Sequence, residues 1–362
     1  MISLLRKREI DSDVLTMARR RIRNVFANGL PVFMSVSGGK DSICLNDLVY
    51  QMAVSGEIDK SLLTVDFVDE EAIYPCVERI VKSMRFQWLS LGVRFRWWCC
   101  EFKHFNCFNQ LSEDESFITW DRSARWVRDM PKWAITGHRR LRPRVDSYQM
   151  FLPRINAHGI QINGLRVAES LQRMNVLADQ KTTDSFAYPI YDWRDSDVWH
   201  YIAERGLDFP DAYLYMYQCG AGRNQMRISQ FFSVDTARSL VRMCEYYPNL
   251  FDRICKREPN AYMAMLYFDS EFFRRAKRGK DDTDYKKKVM EYMNDTSRPR
   301  SPSQRRVEKQ YKNFIVSNSA VITPRVWKVI YQGLVGGDPK GRVYRSLYTH
   351  VFQELAKGDV EK

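Results

Sequence analysis

The sequence predicts an α/β protein with a central parallel sheet, followed by a mainly helical, basic C-terminal region. The apolar run 31–36 is typical of a buried strand, and a turn of small residues leads from it into helical periodicity over Ile43–Ser55. Two further short strands are predicted over Leu62–Asp66 and Gly159–Gly164. Strands that alternate with helical segments in this way indicate parallel strands joined by helices.

Length and composition bound the class of protein. A chain of 362 residues can bury one large core or two smaller ones. Its eight cysteines lack a regular framework spacing, which favours reduced thiols. We find no apolar run long enough to cross a membrane and no secretory signal in Met1–Arg8. We therefore expect a cytoplasmic protein that does not associate with membranes.

The positive charge is concentrated near the C-terminus. The chain has a net charge of +13, and Glu271–Lys362 holds 21 Lys and Arg against 11 Asp and Glu residues. A basic region of this kind favours a polyanionic partner, either nucleic acid or an acidic protein surface. A solvated basic helical face is an equally good interpretation.

Helices flank the predicted strands. Asp13–Asn28 has the periodicity of an amphipathic helix, and a second helix is predicted from Tyr74 to Met84. Between the second strand and that helix lie the acidic residues Asp66 and Asp69, which suit either a ligand contact or a helix cap. The aromatic-rich stretch Phe86–Trp98 predicts another strand.

Residues 37–42 form the strongest candidate site. A strand, a glycine turn and a helix N-terminus together make an anion site, since backbone N–H groups point outward at the positive end of the helix dipole. Gly38 and Gly39 allow the backbone to approach a phosphate, and Lys40 adds a mobile positive charge. The hydroxyl groups of Ser37 and Ser42 add donors.

A second strand–glycine–helix junction follows at Gly164. Helical offsets of three and four place several polar residues after this glycine on one face. These residues are Arg166, Glu169, Ser170 and Arg173. Glu169 is placed to hold Arg166, while Arg173 reaches an anion. The alternative is an exposed helix with internal ion pairs.

These motifs resemble those of a known superfamily. Residues 37–42, Ser-Gly-Gly-Lys-Asp-Ser, look like the PP-loop of the ATP pyrophosphatase and phosphoadenosine phosphosulfate (PAPS) reductase superfamily, and not like a Walker A loop. Gly164-x-Arg166-x-x-Glu169-Ser170-x-x-Arg173 resembles the arginine motif of PAPS reductase-like proteins. Tyr188–Ile202 resembles their P-x-x-x-W-x-x-x-D-V-W-x-Y-I segment. Here Asp195 or Ser196 is expected to cap a helix starting near Asp197, with Trp193 and Asp197 bordering the site.

The resemblance implies a Rossmann-like adenine nucleotide alpha hydrolase (PP-loop) domain over 1–215, a helical extension over 216–295 and a basic region over 296–362. It implies that ATP or a PAPS-like nucleotide binds, with Mg²⁺ as countercharge. The implied catalytic residues are Lys40, Asp41, Arg166 and Arg173. The implied nucleotide-binding residues are Ser37, Gly38, Gly39, Lys40, Asp41, Ser42, Asp66, Asp69, Gly164, Arg166, Glu169 and Ser170.

The implied reaction is cleavage of ATP between its α- and β-phosphates to adenylate an acceptor. PAPS reductases carry a C-terminal Glu-Cys-Gly-x-His motif, but the last cysteine here is Cys255 and no such motif follows it. Thiol-based reduction of PAPS is therefore not expected. The finer resemblance, over Asp13–Asn28 and Tyr217–Phe232, is to proteins like immunoglobulin-binding regulator A. That subgroup implies two alternatives: a sulfonucleotide-dependent transferase, or a nucleotide-binding regulatory or defence subunit acting with a ParB-like partner and nucleic acid.

Three other clusters have two interpretations each. Cys99, Cys100, His104 and Cys107 lie within nine residues, but their spacing is not a standard zinc or iron–sulfur pattern, so buried thiols are favoured over metal. Trp120–Pro131 combines aromatic and guanidinium groups, which suits closure over an anionic substrate or a surface helix. The cations of His138–Arg144 need anions among them, either a bound phosphate or sulfate or nearby carboxylates.

Overall fold

The structure, a computed structural model, describes residues 11–106, 116–167, 185–221, 226–228, 231, 243–266, 284–319, 322–338, 341 and 343–348. Two compact units are distinguished along the chain. The first takes in the described parts of Met1–His104 and Ile118–Pro259, and the second those of Phe105–Phe117 and Asn260–Lys362. The division of the sequence into regions 1–215, 216–295 and 296–362 stays a prediction.

A five-stranded parallel sheet forms the centre of the first unit. Its strands are β1 (Val32–Val36), β2 (Leu63–Val68), β3 (Arg94–Trp98), β6 (Ile160–Ile162) and β7 (Phe186–Ala187). They lie in the order β3-β2-β1-β6-β7, and every neighbouring pair is parallel. The chain therefore winds outward from β1 in one direction and then from β6 in the other. This order confirms the predicted α/β class and puts the topological switch point between β1 and β6.

Helices connect and cover these strands. They are α1 (Val14–Phe26), α2 (Lys40–Val54), α3 (Pro75–Ser90), α4 (Tyr148–Ile155), α5 (Asp195–Arg205), α6 (Ala212–Gln218) and α7 (Pro248–Arg257). Two short strands, β4 (Lys103–Phe105) and β5 (Ser116–Ile118), lie outside the main sheet. The apolar side of α2, including Leu45, Leu48 and Val49, is fully buried, as its periodicity predicts.

Two predicted boundaries are wrong. The strand expected from Phe86 begins only at Arg94, because α3 continues to Ser90. The helical spacing of Val81, Met84 and Trp88 continues into the aromatic-rich stretch that starts at Phe86, and all three side chains are buried.

Residues 120–131 form turns and irregular structure instead of the surface helix that was one of their two interpretations.

The second unit has its own apolar core. Its helices are α8 (Asn260–Leu266), α9 (Tyr285–Asn294), α10 (Pro302–Asn318) and α11 (Pro324–Val335). The buried side chains of Val289, Tyr311, Phe314 and Ile330 pack together between α9, α10 and α11. Ser301 caps α10, since its hydroxyl accepts a hydrogen bond from the backbone N–H of Gln304. Within the described ranges, no helix is both long and apolar enough to span a bilayer.

Candidate functional site

The turn between β1 and α2 requires glycine at its second position. Gly38 has a φ of +72°, a backbone conformation that other L-residues rarely adopt. A Cβ atom at this position would also lie only 2.9 Å from side-chain methyl groups of Val77 and Val81 in α3. The turn is therefore pressed against α3 and holds a fixed shape.

Backbone N–H groups of this turn donate to side-chain hydroxyl groups, both within the turn and in α6. The N–H of Ser37 donates to Ser42 Oγ at 2.8 Å, and the N–H of Lys40 donates to the Tyr213 hydroxyl at 3.1 Å. Within the described parts of the chain, the N–H groups of Gly38, Asp41 and Ser42 have no hydrogen-bond acceptor. Three donors therefore remain for an anion at the positive end of α2.

Four charged side chains meet beside the turn. Arg166 Nε lies 2.6 Å from Asp41 Oδ1, and Arg166 Nη2 lies 2.7 Å from Asp195 Oδ1. Lys40 Nζ lies 3.6 Å from Asp41 Oδ2 and 3.7 Å from Asp195 Oδ1. The Lys40 and Arg166 side chains are 8% and 1% exposed, whereas Asp195 is 38% exposed. We call these four residues the Lys40 cluster.

Strand order brings the Lys40 cluster together. Lys40 and Asp41 follow β1, and Arg166 follows β6, which is paired in parallel with β1. A Cβ atom at Gly164 would lie 3.2 Å from the backbone oxygen of Asp41, so glycine permits this close approach. The cluster thus sits at the carboxyl ends of two strands at the switch point, where open α/β sheets bind ligands.

Comparison with known proteins agrees with this geometry. Residues 31–220, more than half of the chain, match the phosphoadenosine phosphosulfate reductase domain. The chain belongs to this family. It therefore has the nucleotide-binding fold of the PAPS reductase domain, and the predicted superfamily is confirmed.

Individual relatives are more distant. YbdN of Escherichia coli K12, which is named as uncharacterized, is 25% identical over 295 residues, or 72% of this chain and 70% of that protein. A PAPS reductase from Candida auris is 10% identical with a TM-score of 0.34, covering 60% of this chain and 89% of its own. The U34-tRNA thiolase NcsA of Methanococcus maripaludis, which has a [4Fe-4S] cluster, is 10% identical with a TM-score of 0.33, covering 75% and 86%. An FMN adenylyltransferase from Candida glabrata is 12% identical with a TM-score of 0.34, covering 56% and 58%.

Sequence reasoning did not assign Asp195 or Tyr213 to the candidate site. Asp195 or Ser196 was expected to cap a helix starting near Asp197, but α5 starts at Asp195 and Arg194 occupies the N-cap position. Asp197 accepts from the Arg194 N–H, so the Asp195 carboxylate is available to Lys40 and Arg166. Tyr213 lies 173 positions from Lys40 in the chain. The signal in the sequence that could have identified Asp195 is its position in the Tyr188–Ile202 motif, directly after Trp193 and Arg194. The sequence holds no such signal for Tyr213.

Trp193 and Asp197 have other contacts. The Trp193 backbone oxygen accepts a hydrogen bond from Arg166 at 3.3 Å, so Trp193 borders the Lys40 cluster through its main chain. Its indole is buried and donates to the Val14 carbonyl. Glu169, Ser170 and Arg173 lie outside the described residues, and their predicted roles stay predictions.

Asp66 and Asp69, predicted to flank the nucleotide, are bound by protein donors. Asp66 Oδ1 accepts from Arg96 Nε at 2.6 Å and from Trp98 Nε1 at 2.8 Å. Asp69 accepts from Trp97 Nε1 at 2.7 Å and pairs with Arg128. Neither carboxylate has exposed surface, so each of them positions neighbouring side chains at the end of β2.

Glu70 differs from these two acids because it keeps some exposed surface. Desolvation and the neighbouring Asp69 carboxylate raise the pKa of Glu70 to about 7. The Glu70 carboxyl group is therefore able to take up or release a proton near neutral pH.

The described members of the cysteine cluster, Cys99, Cys100 and His104, are buried. Desolvation raises the pKa of the Cys100 thiol to about 12. Burial lowers the pKa of His104 to about 4. Cys107 lies outside the described residues, and among those described no group of three His, Cys, Asp or Glu side chains is arranged to hold a metal.

Carboxylates lie among the cations of His138–Arg144. Asp146 accepts hydrogen bonds from Arg142 Nη2 at 2.7 Å and from Arg154 Nη1 at 2.8 Å. Arg144 pairs with Asp121 at 2.8 Å. Of the two interpretations left open by the sequence, nearby carboxylates account for these contacts.

Proposed function

We propose that this protein binds ATP or a related adenine sulfonucleotide at residues 37–42 and transfers the adenylyl group of ATP to an acceptor, with release of pyrophosphate. One observation carries the proposal. Two buried cations, Lys40 and Arg166, are held by Asp41 and Asp195 beside three N–H groups of the turn that have no acceptor among the residues that the structure describes. Fixed donors and cations of this kind stabilise charge that develops on phosphate oxygens.

Nucleotide binding changes which charges balance Lys40 and Arg166. Asp41 and Asp195 balance the charges of Lys40 and Arg166 in the structure. A nucleotide adds negative charge, so we propose that Mg²⁺ enters with the nucleotide as part of the substrate. Asp41 and Asp195 would hold this Mg²⁺, because carboxylate oxygens are its usual protein ligands. Lys40 and Arg166 then point at the phosphates.

In the chemical step, an acceptor oxygen forms a bond to the α-phosphorus of ATP, and a proton carried by that oxygen passes to the solvent. The bond from that phosphorus to the oxygen bridging the α- and β-phosphates breaks, and both of its electrons leave with pyrophosphate. The N–H groups of the turn and the side chain of Lys40 stabilise the charge on pyrophosphate, while Arg166 stabilises the charge around the α-phosphorus. Glu169, Ser170 and Arg173 are proposed to extend this site.

A sulfonucleotide-dependent transferase is the second candidate, favoured by the match to the PAPS reductase domain. Reduction of PAPS by a thiol is not supported by Cys44, Cys99 and Cys100. Desolvation raises the pKa values of these thiols, and the thiolate is the form that attacks. A nucleotide-binding regulator that acts with a ParB-like partner is the third candidate, and the charge of the C-terminal region favours it.

The test compares the full-length protein with Lys40→Ala, using labelled ATP and labelled PAPS with water as the acceptor. We expect AMP and pyrophosphate from ATP, and a loss of at least about 100-fold in rate for Lys40→Ala. Lys60→Ala removes an exposed lysine of the same unit and serves as the control. Normal pyrophosphate release by Lys40→Ala contradicts the proposal. Adenosine 3′,5′-bisphosphate from PAPS supports the transferase, and binding without any product supports the regulator.

A further inference from the structure

A second concentration of positive charge lines a cavity of about 260 Å³ in the first unit. Five cationic side chains and one carboxylate surround it, and none of them belongs to the Lys40 cluster. They are Arg125, Arg128, Arg253, Lys256, Arg257 and Asp129. We call this cavity the basic pocket.

Two of its guanidinium groups are fixed by buried acids. Arg128 forms ion pairs with Asp69 and Glu78, and Arg257 Nε donates to Glu71 Oε1 at 3.1 Å. The Asp69 and Glu71 side chains have no exposed surface, whereas the two arginines are 7% and 11% exposed and line the cavity. The acids therefore lie behind the arginines and orient them, which prepares a rigid wall for a ligand.

Two other cations have no carboxylate partner among the described residues. Arg125 and Arg253 are both exposed, and within the described chain neither forms an ion pair. Arg253 Nε donates only to the backbone oxygen of Asn249. Helical spacing puts Arg253 on the same face of α7 as Lys256 and Arg257. Lys256 pairs with Asp252 and Arg257 pairs with Glu71, so among the described residues Arg253 is the cation of this face whose charge an anion in the pocket would balance.

The basic pocket is anchored at the same edge of the sheet as residues 37–42. Val36, the last residue of β1, is in register with Phe67 of β2. Asp69 and Glu71, which hold Arg128 and Arg257, directly follow β2. The carboxyl ends of these neighbouring strands therefore support both the Lys40 cluster and the basic pocket.

We propose that the basic pocket binds the phosphate group of a small phosphorylated acceptor. The cavity is smaller than the roughly 300–1,000 Å³ usual for whole ligands, so it suits the phosphate end of a molecule. A phosphomonoester carries up to two negative charges at neutral pH. These two charges would balance the positive charges of Arg125 and Arg253, which lie beside the fixed arginines. Its assignment to an acceptor rests on the proposed adenylyl transfer, whereas the anion site itself does not.

The experiment measures binding of ribose 5-phosphate and of ATP to the full-length protein by calorimetry. The double variant Arg125→Glu/Arg253→Glu should bind ribose 5-phosphate at least about tenfold more weakly and ATP unchanged, since it loses two charge-assisted contacts. Lys40→Ala should show the reverse. Arg20→Glu/Arg139→Glu makes the same charge change at two exposed arginines outside the pocket and should bind both ligands normally. Arg253→Gln, which only removes a charge, should give an intermediate loss.

Ribose 5-phosphate binding that is absent from the wild type, or equal in wild type and Arg125→Glu/Arg253→Glu, overturns the proposal. Adenosine 3′,5′-bisphosphate is the third ligand. If its binding alone is weakened by the double variant, the pocket takes a phosphate of the nucleotide itself and the acceptor assignment is wrong. A failure of the proposed function would instead appear as normal ATP binding and turnover by Lys40→Ala, which leaves the ribose 5-phosphate result unaffected.

Discussion

Carboxylates balance the charges of the two cations in the Lys40 cluster. Lys40 and Arg166 are nearly buried, and an unpaired buried cation is costly. Asp41 and Asp195 offset these charges. Lys40 and Arg166 were recognised from sequence because each follows a strand and a glycine motif. Asp195 and Tyr213 were not, because their contacts with Lys40 depend on how α5 and α6 pack on the sheet.

Gly38 allows a sharp test at the residue scale. Gly38→Ala should lower the free energy of unfolding by about 2–4 kcal/mol, because alanine is strained at positive φ and its Cβ would meet Val77 and Val81. Gly29 has a φ of +66° but nothing within 4 Å of an added Cβ. Gly29→Ala should therefore cost only about 1 kcal/mol. Urea unfolding measures both values, and equal losses for the two variants would refute the close contact with α3.

At the element scale, local periodicity predicted the strands and helices that surround residues 37–42. The helix expected over Asp13–Asn28, observed as Val14–Phe26, and the order of strand, turn and helix through α2 follow from local residues. The start of β3 was predicted wrongly from local residues. Phe86 is exposed, whereas Trp88 is buried in α3 and donates a hydrogen bond to Asn46. Aromatic content suggested a strand, but only the packing of α3 shows which aromatic side chains face the core.

Asp146 joins α4 to the arginine-rich segment and gives a pH-dependent prediction. Hydrogen bonds from Arg154 and then Arg142 lower its pKa from the ordinary value of 3.8. Because the folded pKa is lowered, its stabilising contribution is present above about pH 4 and is lost as the pH falls below that value. Asp146→Asn should lower the free energy of unfolding by about 3 kcal/mol at pH 7.

The measurement is urea unfolding of wild type and Asp146→Asn between pH 7 and pH 2.5. The difference between the two proteins should shrink as the pH falls below about 4, because Asp146 then takes up a proton in the unfolded chain while its folded pKa stays lower. Asp59→Asn serves as a comparison, since Asp59 also has a lowered pKa but is exposed. A constant difference across this pH range would show that the charge of Asp146 is not what stabilises the segment.

At the scale of the whole molecule, the described part of the basic C-terminal region consists of packed helices. One face of α10 carries several positive charges. Removing residues 298–362 would remove most of the core around Tyr311 and Ile330, so a truncated protein would lose folded structure together with charge. Point substitutions on the surface change the charge and leave this core in place. Arg305, Lys309 and Lys312 are exposed at helical spacing on α10, and among the described residues no carboxylate pairs with them.

We predict that this face of α10 binds nucleic acid through its phosphates. Arg305→Glu/Lys309→Glu/Lys312→Glu should weaken binding to a single-stranded oligonucleotide and make the slope of log K against log salt less steep by about 2–3. Arg20→Glu/Arg94→Glu/Arg139→Glu changes the net charge equally but uses exposed arginines of the first unit. Fluorescence anisotropy at several salt concentrations measures both variants. If the two variants lose affinity equally, only the net charge matters, and α10 is a solvated basic face without a nucleic-acid site.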